Sequence, residues 1–160
     1  MNATILTADA DLMAGLAIAT GFSLFVMIFG MLMVILVLIA KWKIFSKAGE
    51  KGWKSLIPVY GTYVEYGFTW NHKQGILFLV AMLLLRVLTG LFDTDSIMYS
   101  LAAIPGIYAA VLSVIQLHKL SKSFGHGAGF TAGLLLMNPI FLLILGFGKS
   151  QYVGNALKAE

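Results

Sequence analysis

The stretch LMAGLAIATGFSLFVMIFGMLMVILVLIA, residues 12–40, contains no charged side chain. Its length of about 29 residues would run some 43 Å as an α-helix, against a bilayer hydrocarbon core of about 30 Å. It lacks the polar face that a surface helix of a soluble protein keeps, so it reads as a membrane span that crosses with tilt. Asp9 and Asp11 precede it and Lys41 follows it. A cleaved signal peptide has a basic start, a shorter apolar centre and a small-residue cleavage site, so this run is expected to be an uncleaved anchor.

Further apolar runs lie at about 74–92, 96–117 and 128–148. The expectation is an all-α integral membrane helical bundle with four transmembrane helices, forming a single domain over residues 1–160. Composition points the same way. The chain is 59% hydrophobic and 11% charged, with a mean hydropathy of +0.90, more apolar surface than one soluble core can hide. Cysteine is absent, which excludes disulfides, thiol nucleophiles and cysteine-ligated metals.

Lys41, Lys43, Lys47, Lys51, Lys54 and Lys73 fall between the first two runs, which places that connection in the cytoplasm by the positive-inside rule. Asp93 and Asp95 mark the next turn as outside, and His118, Lys119 and Lys122 mark the following one as inside. Four spans then put both termini outside, an orientation that Lys149 and Lys158 oppose. The lysines flank apolar runs and form no basic face with interleaved aromatics. That excludes nucleic acid and makes the lipid bilayer, with its anionic headgroups, the expected partner.

Within the basic connection, Trp53, Leu56, Tyr60, Tyr63, Gly67 and Trp70 recur at steps of three or four, with polar residues between them. The pattern predicts a cytoplasmic interfacial amphipathic segment started or kinked by Pro58 and lying in the headgroup layer. An internal echo is also present. Ser46-Lys47 followed by glycines and Trp53 matches Ser121-Lys122 followed by glycines and Phe130, and Ile57-Pro58-Val59-Tyr60 matches Asn138-Pro139-Ile140-Phe141. Two parallel units of helix, basic glycine turn and proline-containing segment would produce it.

The stretch Lys47-Ala48-Gly49-Glu50-Lys51-Gly52-Trp53, continued by Ile57-Pro58-Val59-Tyr60, resembles the signature of a bacterial family of small multipass membrane proteins known only as a domain of unknown function. Ser121 to Gly125 and Leu145 to Gly148 with Tyr152 are similar to its second half. The resemblance implies a bacterial plasma (inner) membrane and a shared fold, and it brings no catalytic residues with it.

Arg86 is the one charge inside a predicted span, and with Gln116 and Asn138 it makes up the intramembrane candidates for function. A plain alternative exists for Arg86, whose side chain can snorkel toward Asp93 at i+7. Glu65, His72, His118, Lys122 and His126 are the candidates at the cytoplasmic interface, where a metal or proton site would need them to meet. His118 near a helix C-terminus is also favoured by the helix dipole alone. The glycines Gly125, Gly127 and Gly129 match no nucleotide-binding fingerprint. No catalytic, cofactor-binding or metal residues are assigned, and the chain is expected not to be an enzyme. The expected role is a noncatalytic membrane protein acting by helix packing, as a homo-oligomer or as an accessory subunit of a membrane assembly. The alternative is a small oligomeric channel or transporter for an ion or small solute.

Overall fold

The computed structural model describes the backbone over residues 2–155 and side chains from Met13 onward. Lys158 and the side chains of Asp9 and Asp11 lie outside the described residues. Every regular element among the described residues is helical: α1 (Asn2–Lys47), a short 3-10 helix (Gly52–Leu56), α2 (Pro58–Thr69), α3 (His72–Leu91), α4 (Ile97–Leu101), α5 (Ala103–Ser123), α6 (Ala128–Leu136) and α7 (Asn138–Phe147). Three stretches are long and apolar enough to cross a membrane, Met13–Lys47, His72–Leu91 and Ile97–Ser123, as befits a membrane protein.

The chain divides into two compact units at Leu36/Val37. In the first, the side chains from Met13 to Leu36 are exposed all round the helix, with only Met33 half-covered. The second unit, from Val37 onward, holds the core.

Local chemistry sets the boundaries within that unit. α1 stops at Gly49, whose φ of 81° suits glycine, and the Glu50 N–H donates back to the Phe45 carbonyl at 2.9 Å. α5 stops in the same way at Gly125, φ 74°, with the His126 N–H on the Ser121 carbonyl at 3.0 Å. Pro58 and Pro139 sit in the first turns of α2 and α7, where a missing N–H costs nothing. Asn71 caps α3 by accepting from the Lys73 N–H, and Ser96 caps α4 by accepting from the Met98 N–H. Pro105 stands mid-way along the run 96–117. It lies in the first turn of α5, and the helix is interrupted one turn earlier, at Ala102.

Cross-helix contacts fix the directions. Lys41 pairs with Glu65, and Phe45 meets Phe68 edge to face at 5.2 Å, so α2 runs beside the last turns of α1 in the same sense. Gly67 lies on the His72 ring, Gly75 on Tyr66, and Val59 shares a groove with Leu79 and Leu83, so α2 and α3 are antiparallel. α2 is therefore a half-helix packed alongside α1 and α3. Its inward face is Gly61, Val64 and Phe68, while Trp53, Leu56 and Tyr60 of the predicted stripe are exposed.

The predicted fourth span, 128–148, is not one continuous helix. It breaks at Met137, and the Phe141 ring folds back onto Gly133 and meets Phe130 at 5.0 Å. Residues 130 and 141 of a straight helix would be about 16 Å apart. The outer ends of α6 and α7 come together, with His126 Nε2 2.8 Å from Ser150 Oγ and the Val153 N–H on the Ser123 carbonyl at 2.8 Å. The pair is a helical hairpin, and the chain after it stays at the end where α1 and α5 stop. Each apolar half is shorter than the roughly 20 residues of a single span, which length and hydropathy of the combined run do not reveal.

The internal echo corresponds to a structural one. α1, the 3-10 helix and α2 form one unit of long helix, glycine turn, short ascending piece and proline-started descending helix; α5, α6 and α7 form another. Ala40, Ile44 and Phe45 are buried in α1, and Gln116, Leu120 and Ser121 are buried at the matching positions of α5. This register is one residue away from the Ser-Lys match. The two units share one core, in which Ile44, Phe45, Val64 and Phe68 pack with Leu120, Phe124, Leu134, Leu142 and Leu145.

Gly146 is the closest point between α7 and α1, where an added Cβ would stand 2.7 Å from the Ala40 backbone. Gly146→Ala is expected to cost about 1–3 kcal/mol through overpacking against a backbone that cannot move aside. Gly129→Ala, which meets nothing within 4 Å, serves as control. Thermal unfolding midpoints in detergent check this, and equal midpoints for the two variants would refute it.

Candidate functional site

The polar side chains of the second unit gather at the end where α1 stops at Lys47 and α5 at Ser123. The helices α2 and α7 both finish there against other helices, and a helix end leaves its last carbonyls without intrahelical donors. Four of these carbonyls on α2 and its C-cap are met by side chains. Asn155 Nδ2 donates to the Gly67 and Trp70 carbonyls at 3.2 and 2.8 Å, Tyr152 Oη to Phe68 at 2.6 Å, and Ser123 Oγ to Thr69 at 3.5 Å. On α7, Lys47 Nζ donates to the Leu145 and Gly148 carbonyls at 2.7 and 2.8 Å. An ammonium at a helix C-terminus also meets the negative end of the dipole.

Lys47 and Ser123 are the last residues of the two long helices, and each reaches the half-helix of the opposite unit. Between them lies a second polar layer. Gln116 and Thr69 are both buried: Gln116 Nε2 donates to Thr69 Oγ1 at 2.7 Å, and the Thr69 hydroxyl donates its one hydrogen to the Glu65 carbonyl at 2.6 Å. Lys41 Nζ donates to Glu65 Oε2 at 3.2 Å, with the carboxylate side mostly covered. Burial pushes the Tyr152 phenol above its ordinary range. Burial also pushes the Tyr66 phenol well up, with the Glu65 charge adding to the effect. Tyr66 is 3% exposed, and its hydroxyl is the one buried side-chain polar atom without a partner among the described residues.

The predicted interface residues do not converge. His72 stacks on Tyr63 at 4.6 Å, His118 Nδ1 lies 3.1 Å from Thr131 Oγ1, and His126 stacks on Phe130 while bonding Ser150. Glu65 is held by Lys41, and Lys122 is exposed on the rim of α5. Among the described residues no group of His, Cys, Asp and Glu is arranged to hold a metal. The intramembrane candidates separate as well. Gln116 is buried on Thr69, Asn138 is half-buried at the start of α7, and Arg86 faces outward on α3. The reading of single residues missed Lys41, Lys47, Thr69, Tyr66 and Tyr152. The lysines look like topology signals in a sequence, and the one available clue to Lys47 was its place at the end of a repeated unit.

The arrangement can hold two half-helices in register, and its imidazole–hydroxyl pairs, His126 Nε2 with Ser150 Oγ at 2.8 Å and His118 Nδ1 with Thr131 Oγ1 at 3.1 Å, join neighbouring segments. Two tyrosines test the accounting in opposite directions. Tyr152→Phe removes a donor to a helix-end carbonyl and is expected to destabilise by about 1 kcal/mol, whereas Tyr66→Phe removes an unpaired buried hydroxyl and is expected to be neutral or stabilising. Chemical or thermal unfolding in detergent reads the sign, and destabilisation by Tyr66→Phe as large as that by Tyr152→Phe would overturn it.

No curated protein and no solved structure matches the chain. A family model does, over residues 53–155, from the 3-10 helix through the α6–α7 hairpin to the Asn155 cap. That match takes in both half-helices and all of the capping residues except Lys47. The chain therefore belongs to the family of unknown function DUF5684.

Proposed function

We propose that this is a noncatalytic protein of the bacterial plasma (inner) membrane that acts by helix packing, as a homo-oligomer or as an accessory subunit of a membrane assembly. The first helix carries this reading. Met13–Lys47 has 35 residues, about 52 Å of helix, and all side chains from Met13 to Leu36 except Met33 are exposed. Such length exceeds the hydrocarbon core, a mismatch relieved by tilt and by helix association. Gly15, Gly21 and Gly30 have open space around them, which lets a second backbone approach closely.

The noncatalytic character rests on how the ionisable side chains are used. Lys41 and Glu65 pair with each other, and His118 and His126 bond the hydroxyls of Thr131 and Ser150 between neighbouring segments. The lysine bias supports a cytoplasmic location for the end at Lys47 and an outside N-terminus. With the re-entrant hairpin the chain at Asn155 is then cytoplasmic too. Lys149 no longer opposes the rule.

A second reading, an oligomeric channel or transporter for an ion or small solute, is favoured by the two proline-started half-helices in repeated units, an arrangement that recurs in transporters. The shared core is apolar, so conduction in this reading runs between several copies.

Mass measurement of the full chain in detergent is expected to give more than one chain per particle or a copurifying membrane protein, and Gly21→Leu to shift the particle toward monomer. A strict monomer with nothing copurified would sink the packing reading. For transport, Arg86→Ala and Asn138→Ala are expected to lower flux in proteoliposomes, and unchanged flux in both removes their proposed part.

A further inference from the structure

Arg86 is the single cation between Gln74 and Leu91, and it is exposed on α3. The ion pairs among the described residues are Lys41–Glu65 and Lys54–Glu50, so Arg86 is not joined to Asp93 or Asp95, which lie beyond the helix end. It closes one end of an outward groove of about 420 Å³ between α2 and α3, otherwise walled by apolar side chains. Ile76, Val80 and Leu83 in this wall are each close to half exposed or more, as is Val59 across from them. From Ile76 to Arg86 the helix rises about 15 Å, which is half the hydrocarbon thickness of about 30 Å, or one leaflet.

We propose that this groove binds one anionic phospholipid, its phosphate on Arg86 and an acyl chain along Val59, Ile76, Val80 and Leu83. The charge and the shape call for the same molecule. A guanidinium on a lipid-facing helix needs a desolvated anionic partner, and its planar fork of donors matches phosphate oxygens. The wall leading away from it is apolar for one leaflet, which suits a chain attached to that phosphate and gives free phosphate nothing to hold. Asp93 and Asp95 sit past the end of α3 at Leu91, in the aqueous turn, so they do not compete for the fork from within the groove.

The test is native mass spectrometry of the full chain released from mixed micelles carrying equal phosphatidylglycerol and phosphatidylcholine of one acyl composition. Wild type is expected to retain phosphatidylglycerol over phosphatidylcholine by about fivefold, the worth of one surface cation toward an anionic lipid. Arg86→Gln should abolish the preference, Arg86→Lys should keep part of it, and Leu83→Trp should reduce retention of both lipids by filling the groove. Both side chains are exposed, so the variants are expected to fold, and each reads a different part of the site. Equal retention of the two lipids by wild type, or an undiminished preference in Arg86→Gln, overturns the proposal. So does a lipid-free dimer that Arg86→Gln dissociates, which would give the groove to a second copy.

Discussion

A buried helix end must find donors for its last carbonyls, and two helices of this protein end against protein and not in water. α2 finishes with Phe68 and Thr69 buried, and α7 with Leu145 and Gly146 buried. In surroundings of low dielectric an unmet carbonyl costs more than it would at a wet surface. The carbonyls are met by side chains that lie far away in sequence: Lys47 for α7, and Ser123, Tyr152 and Asn155 for α2. A half-helix can turn back here because the remainder of the chain supplies its cap.

That requirement ties the two repeated units together. Each long helix ends beside the half-helix of the opposite unit, so neither unit has its polar groups satisfied alone. The contacts between helices follow the same pattern, with Ala40 of α1 against Gly146 of α7 and Gln116 of α5 against Thr69 of α2. Close approach at Ala40 and hydrogen bonding at Gln116 are two chemical solutions at matching positions of the long helices. α3 and α4, inserted between the units, contribute little to the shared core and present most of their surface outward.

The spans were legible wherever one apolar run equals one helix. The run at 12–40 lies within α1, 74–92 within two residues of α3, and 96–117 within the stretch from the Ser96 cap of α4 through α5. The run at 128–148 failed because a hydropathy window counts apolar residues and is blind to a reversal in the middle. Asn138-Pro139 marked the place, yet proline inside a membrane helix is compatible with a kink as well as a turn. For the candidate site, predicted depth stood in for distance. His72, His118, His126 and Glu65 do lie toward one end of the bundle, but they belong to helices that present them to different neighbours. Gln116 was found because a polar side chain in an apolar run is conspicuous. Lys47 was not, because a lysine at the end of such a run is what topology alone demands.

The reversal at Met137 also changes how the charges read. With the chain after α7 returned to the end where α1 stops, the lysines from Lys41 to Lys149 sit at or near that end, and the one arginine stands apart toward the far end of α3. The two cations suit their places for different reasons. Lysine carries a compact, strongly hydrated charge on a flexible stem, suited to a wet rim or, as at Lys47, to a pair of carbonyls it can reach. Arginine is less strongly hydrated and keeps its charge at depth, so it tolerates an apolar wall where lysine would have to lose its proton or withdraw. Arg86 on the groove and lysine around the capped ends therefore reflect two environments that the same fold creates, one dry and open to lipid, the other polar and closed by the protein's own side chains.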